Sequence, residues 1–164
     1  MDDAEARIVI ESHRVDVYNA SLRILGNAAD AEDVTQDTFV AALQRMSTYD
    51  PAQAIGPWLR AIARNRAIDL LRRRARAPEP EVGQGQSAET LALEHLEAER
   101  VRATLARLPA RDRALLVLRY WEDQSVDTIG RALGMTDGAV RVALLRARRT
   151  LGALLVMEED GVEV

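Results

Sequence analysis

The sequence predicts an all-α protein of two small helical domains joined by a flexible linker. The C-terminal one is a helix-turn-helix, a winged-helix-like four-helix domain. Three observations carry this reading. Apolar residues recur at helical spacing while β-branched alternation is almost absent. One stretch, Ala77–Ser87 (APEPEVGQGQS), gathers two prolines, two glycines and two glutamates between the periodic segments. Two short periodic segments near the C-terminus flank Gly134-Met135-Thr136, the spacing of a helix-turn-helix. With 48% apolar residues in 164 the chain can bury a core, but only six are aromatic, so Leu, Ile, Val and Ala must fill it.

The elements follow in order. Ala4–Leu25 reads as one helix with Ile8, Val15, Leu22 and Leu25 along it, stopped by Gly26-Asn27. Asp30 is the expected N-cap of the next helix, with Asp33 at N3. That helix is expected to reach Met46, turning Val34, Ala41 and Leu43 inward with Phe39 at the edge. Glu32, Asp33, Gln36 and Asp37 make its acidic side. Asp33 and Asp37 lack the further ligands a hard metal needs, so no metal site is assigned. Thr48–Pro57 reads as a loop, marked by Asp-Pro and Gly-Pro. Pro57–Arg76 (PWLRAIARNRAIDLLRRRAR) then forms a long helix whose first turn accepts proline. Leu59, Ala63, Ala67, Leu70 and Leu71 are its core stripe. Around them stand seven arginines against the single acid Asp69. Such a face is either a solvated charge run or a seat for a polyanion.

Beyond the linker, a helix is expected from Glu89 to Arg107. Another follows with Pro109 at N1, ending near Trp121, with Leu115, Leu116 and Leu118 inward. Ser125–Leu133 is a short helix capped by Ser125, and Gly134 suits a positive φ. Asp137–Leu155 is the last helix. Val140, Leu144, Ala147, Leu151 and Leu154 form its core stripe. Gly138, Arg141, Val142, Leu145, Arg146 and Arg149 lie opposite, on the side that enters a major groove in a helix-turn-helix. Arg141 suits either a guanine edge or a phosphate, and Val142 and Leu145 suit thymine methyls. The acidic tail 156–164 is expected to be disordered; the other possibility is that it masks an arginine face.

Charge supports a division of labour. The net charge is −4, but residues 1–37 hold nine acids and three arginines, while residues 60–76 hold seven arginines and one acid. This segregation implies one polyanionic partner and one basic partner. All 22 basic residues are arginine, and there is no cysteine, which removes disulfides and zinc–thiolate sites. No run is long enough to span a membrane, and the N-terminus MDDAEAR is acidic, unlike a signal peptide. A cytoplasmic location without membrane insertion is expected. No phosphate loop is present, and His13 and His95 are far apart, so neither an enzyme nor a cofactor is expected.

Two motif groups give the chain a family resemblance. DAEDVTQDTFVAAL (Asp30–Leu43) with PWLRAIARNRAIDLLRRR (Pro57–Arg74) resembles the second conserved region of bacterial sigma factors of the sigma-70 family, extracytoplasmic-function (group IV) type. LPARDRALLVLRYWEDQSVDTIGRALGMTDGAVRVALLRARRTL (Leu108–Leu151) resembles the fourth. The resemblance implies a transcription initiation factor that binds core RNA polymerase and directs it to promoter DNA. It implies a region 2 domain over 1–77, a linker over 78–88, a region 4 domain over 89–155 and the tail over 156–164.

By position, Asp33, Gln36 and Asp37 would contact the clamp coiled coil of the largest polymerase subunit. The −10 element would fall to Tyr49, Asp50, Trp58, Arg60, Arg64 and Asn65, with a flipped base cradled by the Thr48–Pro57 loop. Tyr49 and Trp58 fit a core role equally well. The −35 element would fall to Thr136, Gly138, Arg141, Val142, Leu145, Arg146 and Arg149. An anti-sigma factor is an expected partner. An autonomous helix-turn-helix regulator is the alternative, though it leaves the acidic helix without a role. The chain departs from the family in three places. Ile55-Gly56-Pro57 stands where an aromatic usually precedes the tryptophan. Val142 and Ala143 replace basic or hydroxyl residues. Gly130 replaces alanine, a change expected still to permit close helix crossing.

Overall fold

A computed structural model describes residues 2–76 and 96–161. The described residues are helical or in turns, and the chain divides into two compact units, Met1–Glu79 and Pro80–Val164. The expected linker and the residues from Glu89 to His95 lie outside the described residues.

The first unit contains α1 (Asp3–Ser12), α2 (Arg14–Leu25), α3 (Ala28–Gln44), a 3-10 turn (Met46–Thr48) and α4 (Ile55–Arg76). α2, α3 and α4 pack on one another, and α1 lies against α3. The single helix expected over Ala4–Leu25 is two helices. The Val9 carbonyl, which residue 13 would normally use, instead accepts from the Ser12 hydroxyl at 2.6 Å and lies 2.9 Å from His13 Nδ1. The His13 N–H turns to the Ile10 carbonyl at 3.0 Å, and the helix restarts at Arg14. Short polar side chains compete with the backbone ladder in this way.

Gly26 closes α2 in the left-handed conformation, at φ 65°. The cap of α3 is Asn27, not Asp30: its side chain accepts the Asp30 N–H at 3.0 Å. Asp30 is freed to grip Arg74 at 2.5 and 2.8 Å, tying the start of α3 to the end of α4. Those bonds raise the Arg74 guanidinium pKa above its ordinary value. Asn27→Ala is expected to lower stability by about 1 kcal/mol, read as a reduced midpoint of urea unfolding.

α3 ends at Gln44, two residues before the expected Met46, which opens the 3-10 turn. Thr35 and Thr38 are fully buried in it, and their hydroxyls donate to the carbonyls of Ala31 and Val34 at 2.6 and 2.7 Å. Phe39 is buried rather than at an edge. α4 begins at Ile55, so the expected loop ends three residues earlier, at Ala54, and Pro57 lies within the first turn. Leu59, Ala63 and Ala67 are fully buried as the stripe requires, whereas Leu70 and Leu71 are half-buried. Ile62 and Ile68 are buried too, because α4 packs against both α2 and α3 and one stripe is too narrow for two neighbours.

The second unit contains α5 (Leu96–Arg107), α6 (Ala110–Tyr120), α7 (Val126–Leu133) and α8 (Asp137–Asp160). Pro109 is the N-cap of α6 rather than N1. Ala114 to Leu118, Ile129, Val140, Leu144 and Ala147 form the core. Arg113 is only 7% exposed, with Nη1 donating to the last carbonyls of the α5 segment, Ala106 at 3.4 Å and Leu108 at 3.2 Å. With no strand among the described residues, the winged-helix likeness does not extend to a β-wing.

α8 runs five residues past Leu155, so the expectation of a disordered tail fails over Val156–Asp160. The extra turns are held by α5. Glu158 receives Arg107 at 2.7 Å and Thr104 at 3.1 Å, and lies 3.7 Å from Arg100 Nε. Arg100 also donates to the Leu155 carbonyl at 2.7 Å and pairs with Glu159 at 3.2 Å. Each pair is partly exposed and weak alone, but Glu158 joins three of them. Glu158→Ala is expected to lower stability by about 1 kcal/mol and the melting temperature by a few degrees, measured by thermal unfolding.

Candidate polymerase and nucleic-acid interfaces

α3 turns one face to the core and the opposite one to solvent. Asp33, Gln36 and Asp37 are exposed, and Val40, one turn on, is 55% exposed. The spacing i, i+3, i+4, i+7 puts all four on one stripe. Gln36 donates to Glu32 at 3.3 Å, and Glu32 pairs with Arg14 of α2. A groove runs beside this stripe between α3 and α4. Its acidic wall is Asp30, Asp33 and Asp37; Arg66, Asp69, Arg72 and Arg73 stand across it. Val40 was not among the residues singled out from the sequence, and Arg66 and Arg73 entered there only as two of the seven arginines of the basic helix. The signal for Val40 was a lone apolar residue in phase with the acids.

The Tyr49 and Trp58 rings meet at 4.9 Å between centroids, inclined by 44°. The Tyr49 hydroxyl donates to the Gln53 carbonyl, and Asp50 accepts the Ala52 N–H at 2.9 Å, so both shape the loop itself. Trp58 packs half-buried against the core around Ile10, Val17 and Leu59. The aromatic pair therefore joins core and surface. Arg60 pairs with Asp16 of α2 at 2.5 Å. Arg64 is half-buried and Asn65 exposed. Asn65 lines a shallow concavity with Arg45, Ile62, Arg66 and Asp69. The six residues expected at the −10 element thus spread over the loop, the first turn and the middle of α4.

The helix-turn-helix is built by its caps. Ser125 accepts the Thr128 N–H at 3.1 Å, Gly134 ends α7 at φ 67°, and Thr136 accepts the Ala139 N–H at 3.2 Å. The Thr136 hydroxyl is thus engaged in capping α8. Gly130 carries the crossing: a Cβ there would lie 2.6 Å from the Met135 carbonyl oxygen. Glycine at this position thus permits the close helix crossing expected of it, and an alanine methyl would meet the backbone of the turn. Beyond the turn, Gly138, Arg141, Val142, Leu145, Arg146 and Arg149 are all exposed. Val142 is 50% and Leu145 41% exposed, so two apolar side chains stand on the surface among the arginines. Among the described residues no carboxylate pairs with Arg141, Arg146 or Arg149. Their charge is available to an incoming polyanion.

An acidic helix face beside an arginine-rich helix, and a helix-turn-helix with an unpaired basic and apolar face, define a bipartite DNA-binding factor. The family models for Sigma-70 region 2 and Sigma-70, region 4 match residues 9–77 and 98–151. The chain is 32% identical to the ECF RNA polymerase sigma factor SigL of Mycobacterium tuberculosis, over 95% of this chain and 90% of SigL. It is 33% identical to EcfG of Rhodopseudomonas palustris, over 87% of this chain and 80% of that one. It is 34% identical to SigE of Mycolicibacterium smegmatis over 87% of this chain, but spans only 58% of SigE, and it spans 38% of the sigma factor RfaY of Xanthomonas campestris. The structure of CnrH in complex with the cytosolic domain of CnrY is similar, with a TM-score of 0.54 and 28% identity over 95% of this chain and 90% of that one. RpoE of Bartonella quintana, solved with the anti-sigma factor NepR, shares the fold at a TM-score of 0.59 and 22% identity, over 98% and 97% of the two chains. The chain belongs to the ECF RNA polymerase sigma factors.

Proposed function

We propose that this chain docks on the clamp coiled coil of core RNA polymerase through Asp33, Gln36 and Asp37, and that it reads two promoter elements with its two units. Residues 1–77 serve docking and the −10 element, residues 89–155 serve the −35 element, and 78–88 connect them. At the −10 element Tyr49, Asp50 and Trp58 offer a loop and a ring pair to an unstacked base, while Arg60, Arg64 and Asn65 follow the strand. At the −35 element Arg141 reads a base edge or phosphate, Val142 and Leu145 meet thymine methyls, and Arg146 and Arg149 hold the backbone. Thr136 and Gly138 let the start of α8 approach the duplex closely. The supporting observation is that one chain exposes both the acidic stripe of α3 and the Arg141–Val142–Leu145 face of α8, and neither unit uses its own face internally.

CnrH was crystallised with the cytosolic domain of CnrY, which supports an anti-sigma partner for this chain as well. No described helix is long and apolar enough to cross a membrane. The cytoplasmic placement proposed here follows from the polymerase partner. The test is reconstitution with purified core polymerase, followed by permanganate mapping of promoter melting. Melting that requires both components supports the reading. Tight operator binding by the chain alone, with none added by core polymerase, overturns it in favour of an autonomous regulator.

A further inference from the structure

Arg60 does not point away from its unit. Side chains on a helix lean over the preceding turn, so residue 60 lies above residue 56. Residue 56 is glycine, and a Cβ built there would stand 3.5 Å from an Arg60 Nη1 and 3.3 Å from the His13 ring. The guanidinium thus folds back over the first turn of α4, within contact distance of Gly56. Nη1 meets Asp16 Oδ2 of α2 at 2.5 Å. Both partners stay partly open to water, Arg60 at 35% and Asp16 at 45% of the side chain. A strand following α4 therefore meets a carboxylate beside the arginine that would bind its phosphate.

We propose that Asp16 is a positioning residue that acts as a brake on the −10 face: its carboxylate holds the Arg60 guanidinium within the unit and repels the backbone of the melted strand. This rests on the −10 assignment above. A phosphate reaching Arg60 must share or displace a carboxylate already in contact, so the favourable release of counterions is diminished at that site. Arg74 is neutralised by Asp30 in the same manner at the far end of α4, but bidentately and with Asp30 only 13% exposed. That pair serves as a fixed clasp. The Asp16 pair is single and more open, so it can yield to a competitor.

The test titrates a fluorescein-labelled oligothymidylate against the full chain assembled with core polymerase, over a series of salt concentrations. Assembly is verified first by gel filtration. Asp16→Asn keeps the shape and a hydrogen-bonding oxygen but removes the charge. It is expected to bind about threefold more tightly at low salt, with the slope of log K on log salt steeper by about 0.7, one single-strand phosphate contact. Asp16→Glu is expected to restore the wild-type slope. In an Arg60→Gln background Asp16→Asn is expected to have no effect, which separates action through Arg60 from a general change of field. Unchanged or weaker binding by Asp16→Asn overturns the brake, as does an equal gain in the Arg60→Gln background. A complex that forms but binds no oligonucleotide overturns the −10 assignment and the brake together. Failure of the complex to form overturns the docking reading itself.

Discussion

Replacing Asp33 and Asp37 together by arginine is expected to lower affinity for core RNA polymerase by at least about a hundredfold, while helical content and melting temperature stay near those of the wild type. Both carboxylates are exposed, and neither is joined to its own unit by a hydrogen bond or ion pair, so the fold does not depend on them. An interface built on these acids needs a basic partner, and reversal leaves like charges opposed where opposite ones met. Truncating a charge in a desolvated contact typically costs 2–5 kcal/mol, roughly a factor of thirty or more, and reversal adds repulsion. The variant α3 faces Arg66, Arg72 and Arg73 across the groove, so a shift of a few degrees in melting temperature is compatible with this account. Surface-immobilised core polymerase titrated with both proteins gives the result, with circular dichroism as the folding control. Near wild-type affinity in the folded variant would remove α3 from the docking site.

Gly130→Ala is expected to destabilise the second unit by about 1–3 kcal/mol and to weaken duplex binding, although helix propensity alone predicts a gain of about 1 kcal/mol from the same change. Propensity favours alanine because glycine surrenders more backbone freedom on folding. Here the added methyl would stand 2.6 Å from a backbone oxygen, that of Met135, and backbone cannot rotate aside as a side chain can. The Met135 N–H is also bonded to the Gly130 carbonyl at 2.8 Å, so the turn is held on both sides. Relief requires α7 and α8 to separate, which moves the start of α8 and with it Arg141, Val142 and Leu145. Chemical denaturation of the variant and titration with −35 duplex in the holoenzyme measure the two effects. Increased stability with unchanged binding would show that the turn relaxes freely.

These two sites mark the limit of what could be read in advance. Asp33, Gln36 and Asp37 were legible because polar residues at helical spacing, on a helix whose other face is apolar, must point to solvent. The α8 face was legible on the same ground. Gly130 was visible as a glycine in a helix, but whether alanine fits depends on an oxygen five residues later in the chain, brought back by a turn. Helix ends show the same division. Gly26 and Gly134 stop their helices as glycine does. Asn27 and Asp30 both have capping chemistry; in the fold Asn27 caps the helix and the Asp30 carboxylate is turned to Arg74.

The helical class, the two-part organisation, the helix-turn-helix and the faces left to solvent are all legible in the order of residues along the chain. These depend on periodicity, turn chemistry and motif order, all of which are local. Which charges remain available is a matter of packing. Of the arginines along α4, Arg60 is taken by Asp16 and Arg74 by Asp30, each 44 residues away in sequence, and Glu158 draws the acidic end of α8 onto α5. A guanidinium is a good phosphate ligand only when no carboxylate holds it, and which carboxylate lies within reach is set by helix packing.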